Sequence, residues 1–205
     1  YKHIFKISDI ITFQNFIKAT AARTGQLLNY ADLAKDMAVD VKTVKNWLSI
    51  LEFGGLVYLL PPYYNNVTKR IIKTPKLYFL DTGLCAYLTG WDNPKSLEAG
   101  AMNGAILETY VFTELLKSYW HNAKEPNIYF YRDRDGKEID FLLEMNNTLY
   151  PIEVKKTMLP DKTMIKNFSV LNNLKKEIGK GVLLSLKPEV SYITETTLSV
   201  PIWSI

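Results

Sequence analysis

The chain has 205 residues, of which 47% are hydrophobic, 22% charged and 13% aromatic. That composition belongs to a packed protein and excludes a disordered one; the length admits one large domain or two small ones. A single cysteine, Cys85, excludes an intramolecular disulfide framework and points to a reducing compartment, the cytoplasm. Two histidines, His3 and His121, cannot build a zinc cage with that one cysteine. Any metal site must then use carboxylates, which makes Mg²⁺ or Mn²⁺ the expected ion. No run approaches the roughly eighteen apolar residues of a membrane span, and no secretory leader opens the chain. It starts at Tyr1 rather than Met and reads as a piece of something longer.

Net charge is +4, unevenly spread. Residues 1–95 carry 12 Lys and Arg against 7 Asp and Glu; residues 96–205 carry 13 against 14. A basic front and a near-neutral back suggest two modules, the first facing a polyanion, although ordinary surface charge would look the same. The segment 90–96, with Gly90, Asn93-Pro94 and Ser96, is the expected boundary, giving domains at 1–90 and 97–205.

The front module opens with a helix over Ile7–Ala22, stopped by Gly25, with Ile10, Phe13, Phe16, Ile17 and Ala21 on one face. Asn29 can cap a short helix containing Leu33, Ala34 and Met37. Asp40 can cap a second, Val41–Phe53, which ends at Gly54-Gly55. Two helices across a tight turn form a helix-turn-helix. The strands expected next are Leu56–Leu60, Arg70–Lys73 and Lys76–Leu80, with a turn-rich tip over Pro61–Thr68. A hairpin directly after the second helix makes the module a winged helix-turn-helix. The outward positions of that helix are Lys42, Thr43, Lys45, Asn46 and Ser49, residue types that meet phosphates and base edges; Lys69, Arg70 and Lys73 add phosphate contacts near the wing. DNA is thus one expected partner. An exposed helix face is polar in any case, and winged helices also dock proteins. Asp81-Thr82-Gly83 matches the aspartic-protease tripeptide, but Asp81 is better read as the N-cap of a short helix, Thr82–Leu88. The four tryptophans, Trp47, Trp91, Trp120 and Trp203, are read as core.

The back module reads as helix (Leu97–Trp120), three strands (Asn127–Arg132, Lys137–Met145, Thr148–Lys156), helix (Pro160–Ile178) and a buried strand (Val182–Leu186). Asp133–Gly136 and Asn146-Asn147 make the turns. The crossover helix makes the third and fourth strands parallel. Asp140 is embedded in an apolar strand. Glu153 and Lys155, two apart, share a face of the next strand, and the antiparallel neighbour can bring Asp140 beside them. Two converging carboxylates hold a divalent cation, with the Val154 carbonyl as a further oxygen ligand, and the lysine can orient a water or neutralise charge on a phosphate. Glu108 lies on an apolar helix face, which is costly without a partner.

An acidic residue on a helix, then Asp140, twelve intervening residues and Glu153-Val154-Lys155, on this α-β-β-β-α-β order, resembles the PD-(D/E)xK nuclease superfamily with its restriction-endonuclease-like fold. More closely, Lys76–Leu84, Gly104–Val111, Gly136–Leu143 and Ile152–Lys155 are similar to stretches of prokaryotic AAA-type ATPases that carry a C-terminal domain of unknown function. The resemblance implies metal ligands at Glu108, Asp140 and Glu153 and a catalytic Lys155. It also implies an upstream ATPase domain in the same polypeptide. Ile139 stands where many superfamily members have proline. The chain has no phosphate-binding loop of its own, so ATP enters only through that absent domain. Two functions from different classes remain: a Mg²⁺-dependent nuclease-like, DNA-binding module, or an inactive platform that docks protein partners to the ATPase.

Overall fold

The computed structural model describes residues 10–64 and 74–205. The chain is mixed α/β and divides into two units. Among the described residues the first unit comprises 10–59 and 74–110, the second 60–64 and 111–205. The division falls inside a helix, between Tyr110 and Val111.

In the first unit, α1 (Ile10–Ala21) is followed by a short strand, β1 (Gln26–Leu27), and Gly25 makes the turn with φ +74°. The Asn29 side chain accepts from the Ala31 and Asp32 N–H groups and starts α2 (Tyr30–Asp36). Asp40 accepts from the Thr43 N–H at 2.8 Å and starts α3 (Val41–Phe53), whose Val44, Trp47, Leu48 and Leu51 are buried. The turn between α2 and α3 needs a left-handed residue, and Ala38 supplies it at φ 52°. β2 (Val57–Leu60) and β3 (Lys76–Phe79) complete a three-stranded sheet in the order β1-β3-β2. Asp81 caps α4 (Thr82–Leu88) through the Leu84 N–H. The core gathers Phe16, Leu33, Val44, Leu48, Leu77 and Phe79 around Trp47, whose ring lies 5.2 Å from that of Phe16.

The long helix expected over Leu97–Trp120 is two helices, α5 (Pro94–Ala99) and α6 (Asn103–Trp120). A Cβ at Gly100 would overlap the Trp91 ring, so only glycine fits the close approach. The Asn103 side chain donates to the Glu98 and Gly100 carbonyls and closes the break. The strand expected over Arg70–Lys73 lies outside the described residues, as do Pro61–Thr68 beyond residue 64 and the start of the first helix.

The second unit holds a seven-stranded mixed sheet. β4 (Ile128–Arg132), β5 (Glu138–Met145) and β6 (Thr148–Val154) form an antiparallel meander. The turns are those read from the sequence: Gly136 at φ +79°, and Asn146 and Asn147 both left-handed. β8 (Gly181–Ser185) lies parallel to β6, as the crossover requires. Two strands not anticipated extend the sheet: β10 (Thr197–Pro201), parallel to β8, and β9 (Ser191–Thr194) at its edge. Residues 61–63 do not belong to a free tip, because Pro62 bridges Phe130 of β4 and the Tyr63 N–H donates to the Phe130 carbonyl at 2.7 Å.

The crossover is a 3₁₀ helix (Lys162–Asn173) followed by β7 (Glu177–Ile178), not one amphipathic α-helix over Pro160–Ile178. Ile165, Phe168, Leu171 and Leu174 recur every three residues and all pack inward, which matches three residues per turn. Asn167, Ser169, Asn172 and Asn173 compete with an α-helical backbone. β7 pairs with Thr148 and Leu149 of β6, while β8 pairs with Ile152 to Val154. Pro151 falls between the two, where its missing N–H breaks neither ladder. Trp47 is core as expected; Trp120 and Trp203 are about half exposed, so that expectation fails for them.

Two predictions follow from the first unit's packing. Cys85 is fully buried, its thiol pushed up to about 11 by burial and by the nearby Asp81 charge. It is expected to resist a colourimetric thiol reagent at pH 8 until the unit unfolds, so labelling and unfolding rates should coincide. The Thr43 N–H and hydroxyl hold the Asp40 carboxyl below its usual range. A lowered value stabilises the fold above the unfolded carboxyl's pKa, and the gain is lost as pH falls through the folded value. Asp40→Ala should lower the melting temperature at pH 7, with the gap to the parent narrowing below about pH 4.

Candidate functional site

The candidate site forms where β5 meets β6. The register pairs Phe141 with Ile152, so Asp140 and Glu153 follow as neighbours on one face. Asp140 is almost buried and accepts from the Val154 N–H through Oδ2 at 2.9 Å. Glu153 is buried too, held between β5 and β8. The ladder runs one bond past β6, with the Lys155 N–H donating to the Leu184 carbonyl at 2.9 Å. The Lys155 side chain then turns back. Its Nζ lies 2.6 Å from Glu153 Oε1 and 4.0 Å from Asp140 Oδ2. Both carboxylates are within 4.0 Å of this ammonium. The ammonium stands at the solvent rim, its side chain 40% exposed, while the carboxylates form the floor.

Of the sequence-derived site residues, Asp140, Glu153, Val154 and Lys155 come together. Glu108 is engaged within the first unit. Lys76 donates to its Oε1 at 3.1 Å and the Tyr78 hydroxyl at 2.5 Å. Among the described residues, no three or more His, Cys, Asp and Glu side chains are gathered closely enough to hold a metal ion. The pair Asp140–Glu153 still suits Mg²⁺ or Mn²⁺. Mg²⁺ commonly takes one or two carboxylates and fills its remaining positions with water and substrate oxygens. Sequence reasoning placed Lys76 in a strand but missed its role. A lysine two residues from a tyrosine on a buried strand faces the same way, and that spacing was the signal.

On α3, Lys42, Lys45, Asn46 and Ser49 are exposed and Thr43 half-buried. Thr43 is spent on Asp40, and the Ser49 hydroxyl donates to the Lys45 carbonyl. Lys45 Nζ lies 5.4 Å over the Tyr30 ring, a cation–π contact. Lys69, Arg70 and Lys73 lie outside the described residues.

The Lys76–Glu108 pair yields a stability prediction. Lys76 is almost fully buried and Glu108 mostly so. Lys76→Met leaves a buried carboxylate without its counter-ion and should cost about 3 kcal/mol in urea unfolding. Adding Glu108→Gln should recover part of that loss, because the neutral amide still accepts from Tyr78.

Two family models match the chain: "Domain of unknown function (DUF8612)" over residues 1–95 and "Domain of unknown function (DUF4143)" over residues 103–205. Uncharacterized proteins of Mycobacterium bovis and Mycobacterium tuberculosis are each 33% identical over 136 residues, 66% of this chain. The match spans 30% of the length of these relatives. No solved structure matches. Among the described residues no helix is long and apolar enough to cross a membrane. The second model covers half of the chain, so the protein belongs to the family described as Domain of unknown function (DUF4143).

Proposed function

We propose that the chain is a DNA-binding, metal-dependent nuclease-like module of a larger AAA-type ATPase. The observation that carries this reading is the meeting of Asp140, Glu153 and Lys155 at the end of two paired strands, with Lys155 Nζ within 4.0 Å of both carboxylates. The antiparallel meander and the parallel crossover to β8 support a restriction-endonuclease-like core. The order α1-β1-α2-α3-β2-β3, with β2 beside β3, supports a winged helix-turn-helix in the first unit. The relatives' greater length supports a multidomain protein.

Asp140 and Glu153 would hold a hard divalent cation, which would supply Lewis-acid charge and acidify a water toward neutral pH. The chain's own groups do the remainder. The Val154 N–H fixes the Asp140 carboxylate. The Lys155 ammonium, on a flexible stem, leaves Glu153 to orient the attacking water and offset charge growing on the phosphodiester.

The test is Mn²⁺ titration calorimetry together with cleavage of a labelled duplex. The parent chain is expected to bind Mn²⁺ and cut; Asp140→Ala should lose both. Lys155→Ala should keep binding and lose about a hundredfold or more in cleavage. Circular dichroism checks that the variants fold. A folded parent that neither binds metal nor cuts overturns the nuclease reading.

A second reading, protein docking by the first unit, is favoured by a groove of about 550 Å³ lined by Leu27, Tyr30, Val41 and Lys45. Leu27 and Val41 are both exposed there. Docking predicts little DNA affinity at any salt, whereas DNA binding predicts affinity that falls steeply with salt.

A further inference from the structure

Three residues past Lys155, the chain exposes two large apolar side chains side by side. Met158 is 56% exposed and Leu159 82%. Such side chains are usually buried, and a pair at a loop tip has an unfavourable hydration cost unless something covers it. The tip is not loose. The Thr157 N–H donates to the Lys155 carbonyl at 2.8 Å, and the Leu186 N–H to the Thr157 carbonyl at 2.9 Å. The Leu159 N–H donates to Thr157 Oγ1 at 3.1 Å. Asp161 then anchors the far side by capping the 3₁₀ helix through the Thr163 N–H. The backbone is therefore held on both sides while the two side chains project into solvent.

The surrounding charge selects the occupant. Along the chain Lys156, Lys162 and Lys166 flank the tip, with Asp161 the carboxylate among them and turned onto Thr163, while Lys155 is paired with Glu153. An apolar point inside a basic collar suits a polyanion with an apolar interior. Nucleic acid is such a polyanion: its phosphates meet the lysines and its base stack admits an apolar wedge.

We propose that Met158 and Leu159 form a wedge that enters the base stack beside the phosphodiester presented to Asp140, Glu153 and Lys155. The inference rests on the DNA reading of that site and adds its substrate preference. The module favours duplexes that unstack easily, at a mismatch, nick or flexible pyrimidine–purine step. The kink brings the strand to the lysine rim.

The experiment uses the full chain and a 30-base-pair duplex carrying 2-aminopurine at one flexible step, with Ca²⁺ present to suppress cutting. Binding should raise 2-aminopurine fluorescence as the base unstacks. Met158→Ser with Leu159→Ser should abolish the rise and weaken affinity about tenfold, with the salt dependence of binding unchanged because the lysines remain. Both positions are exposed, so the melting temperature should not fall. A rise that persists in the double variant, or no rise on a duplex the parent does bind, overturns the wedge and leaves the DNA reading intact. No duplex binding by the parent at any salt overturns both. Self-association of the parent that the double substitution removes, seen by sedimentation, assigns the tip to a second copy and also overturns the wedge.

Discussion

The pairing of β5 with β6 is the constraint on which the candidate site depends. Strand side chains alternate faces, so sliding one strand by a single residue would move Asp140 or Glu153 to the opposite side of the sheet. The register is pinned from several directions. The two left-handed asparagines close the β5–β6 turn, and Met145 pairs with Thr148 directly beside it. Phe141, 0% exposed, stacks on Phe112 with ring centroids 5.9 Å apart. At the far end the Val154 N–H is spent on Asp140. An apolar core therefore fixes the separation of two charged groups to which it contributes no charge.

Burying carboxylates has a cost, and this chain meets it in two ways. In the first unit Glu108 is matched by a buried lysine and a tyrosine hydroxyl, which suits a structural pair. In the second unit two carboxylates share one lysine, and that lysine stays partly in water. The carboxylates thus form the buried floor of the site and the ammonium stands at its rim.

Much of this architecture is legible in the sequence because it rests on local chemistry. Asn29, Asp40 and Asp81 cap the helices they precede, Gly54-Gly55 ends α3, and the Asp-Gly and Asn-Asn turns set the meander. Spacing alone puts Glu153 and Lys155 on one face, and the structure brings Asp140 to them. What the sequence hides is tertiary. Nothing local reveals that Trp91 needs the space at Gly100 and so divides the long helix. A three-residue apolar period over Ile165 to Leu174 resembles a helical face whether the turn is α or 3₁₀. β9 and β10 are short, and their inward positions include Thr197 and Ser199, so hydrophobic alternation does not announce them. Lys76 reads as a surface lysine until Glu108 is seen to receive it.

β6 shows how rigidity and freedom are apportioned around the site. Its end is paired on both sides, to β5 and to β8, so Glu153 has little room to move. Pro151 marks where one edge changes partners from β7 to β8, and proline there stiffens the backbone without removing a ladder bond. Lys155 stands one residue beyond the strand with its backbone still tied to Leu184, so freedom returns only in its four-carbon stem. The chain then bends through Thr157 to the exposed Met158-Leu159 tip. The gradient runs from a fixed carboxylate, through a tethered ammonium, to an apolar point in solvent.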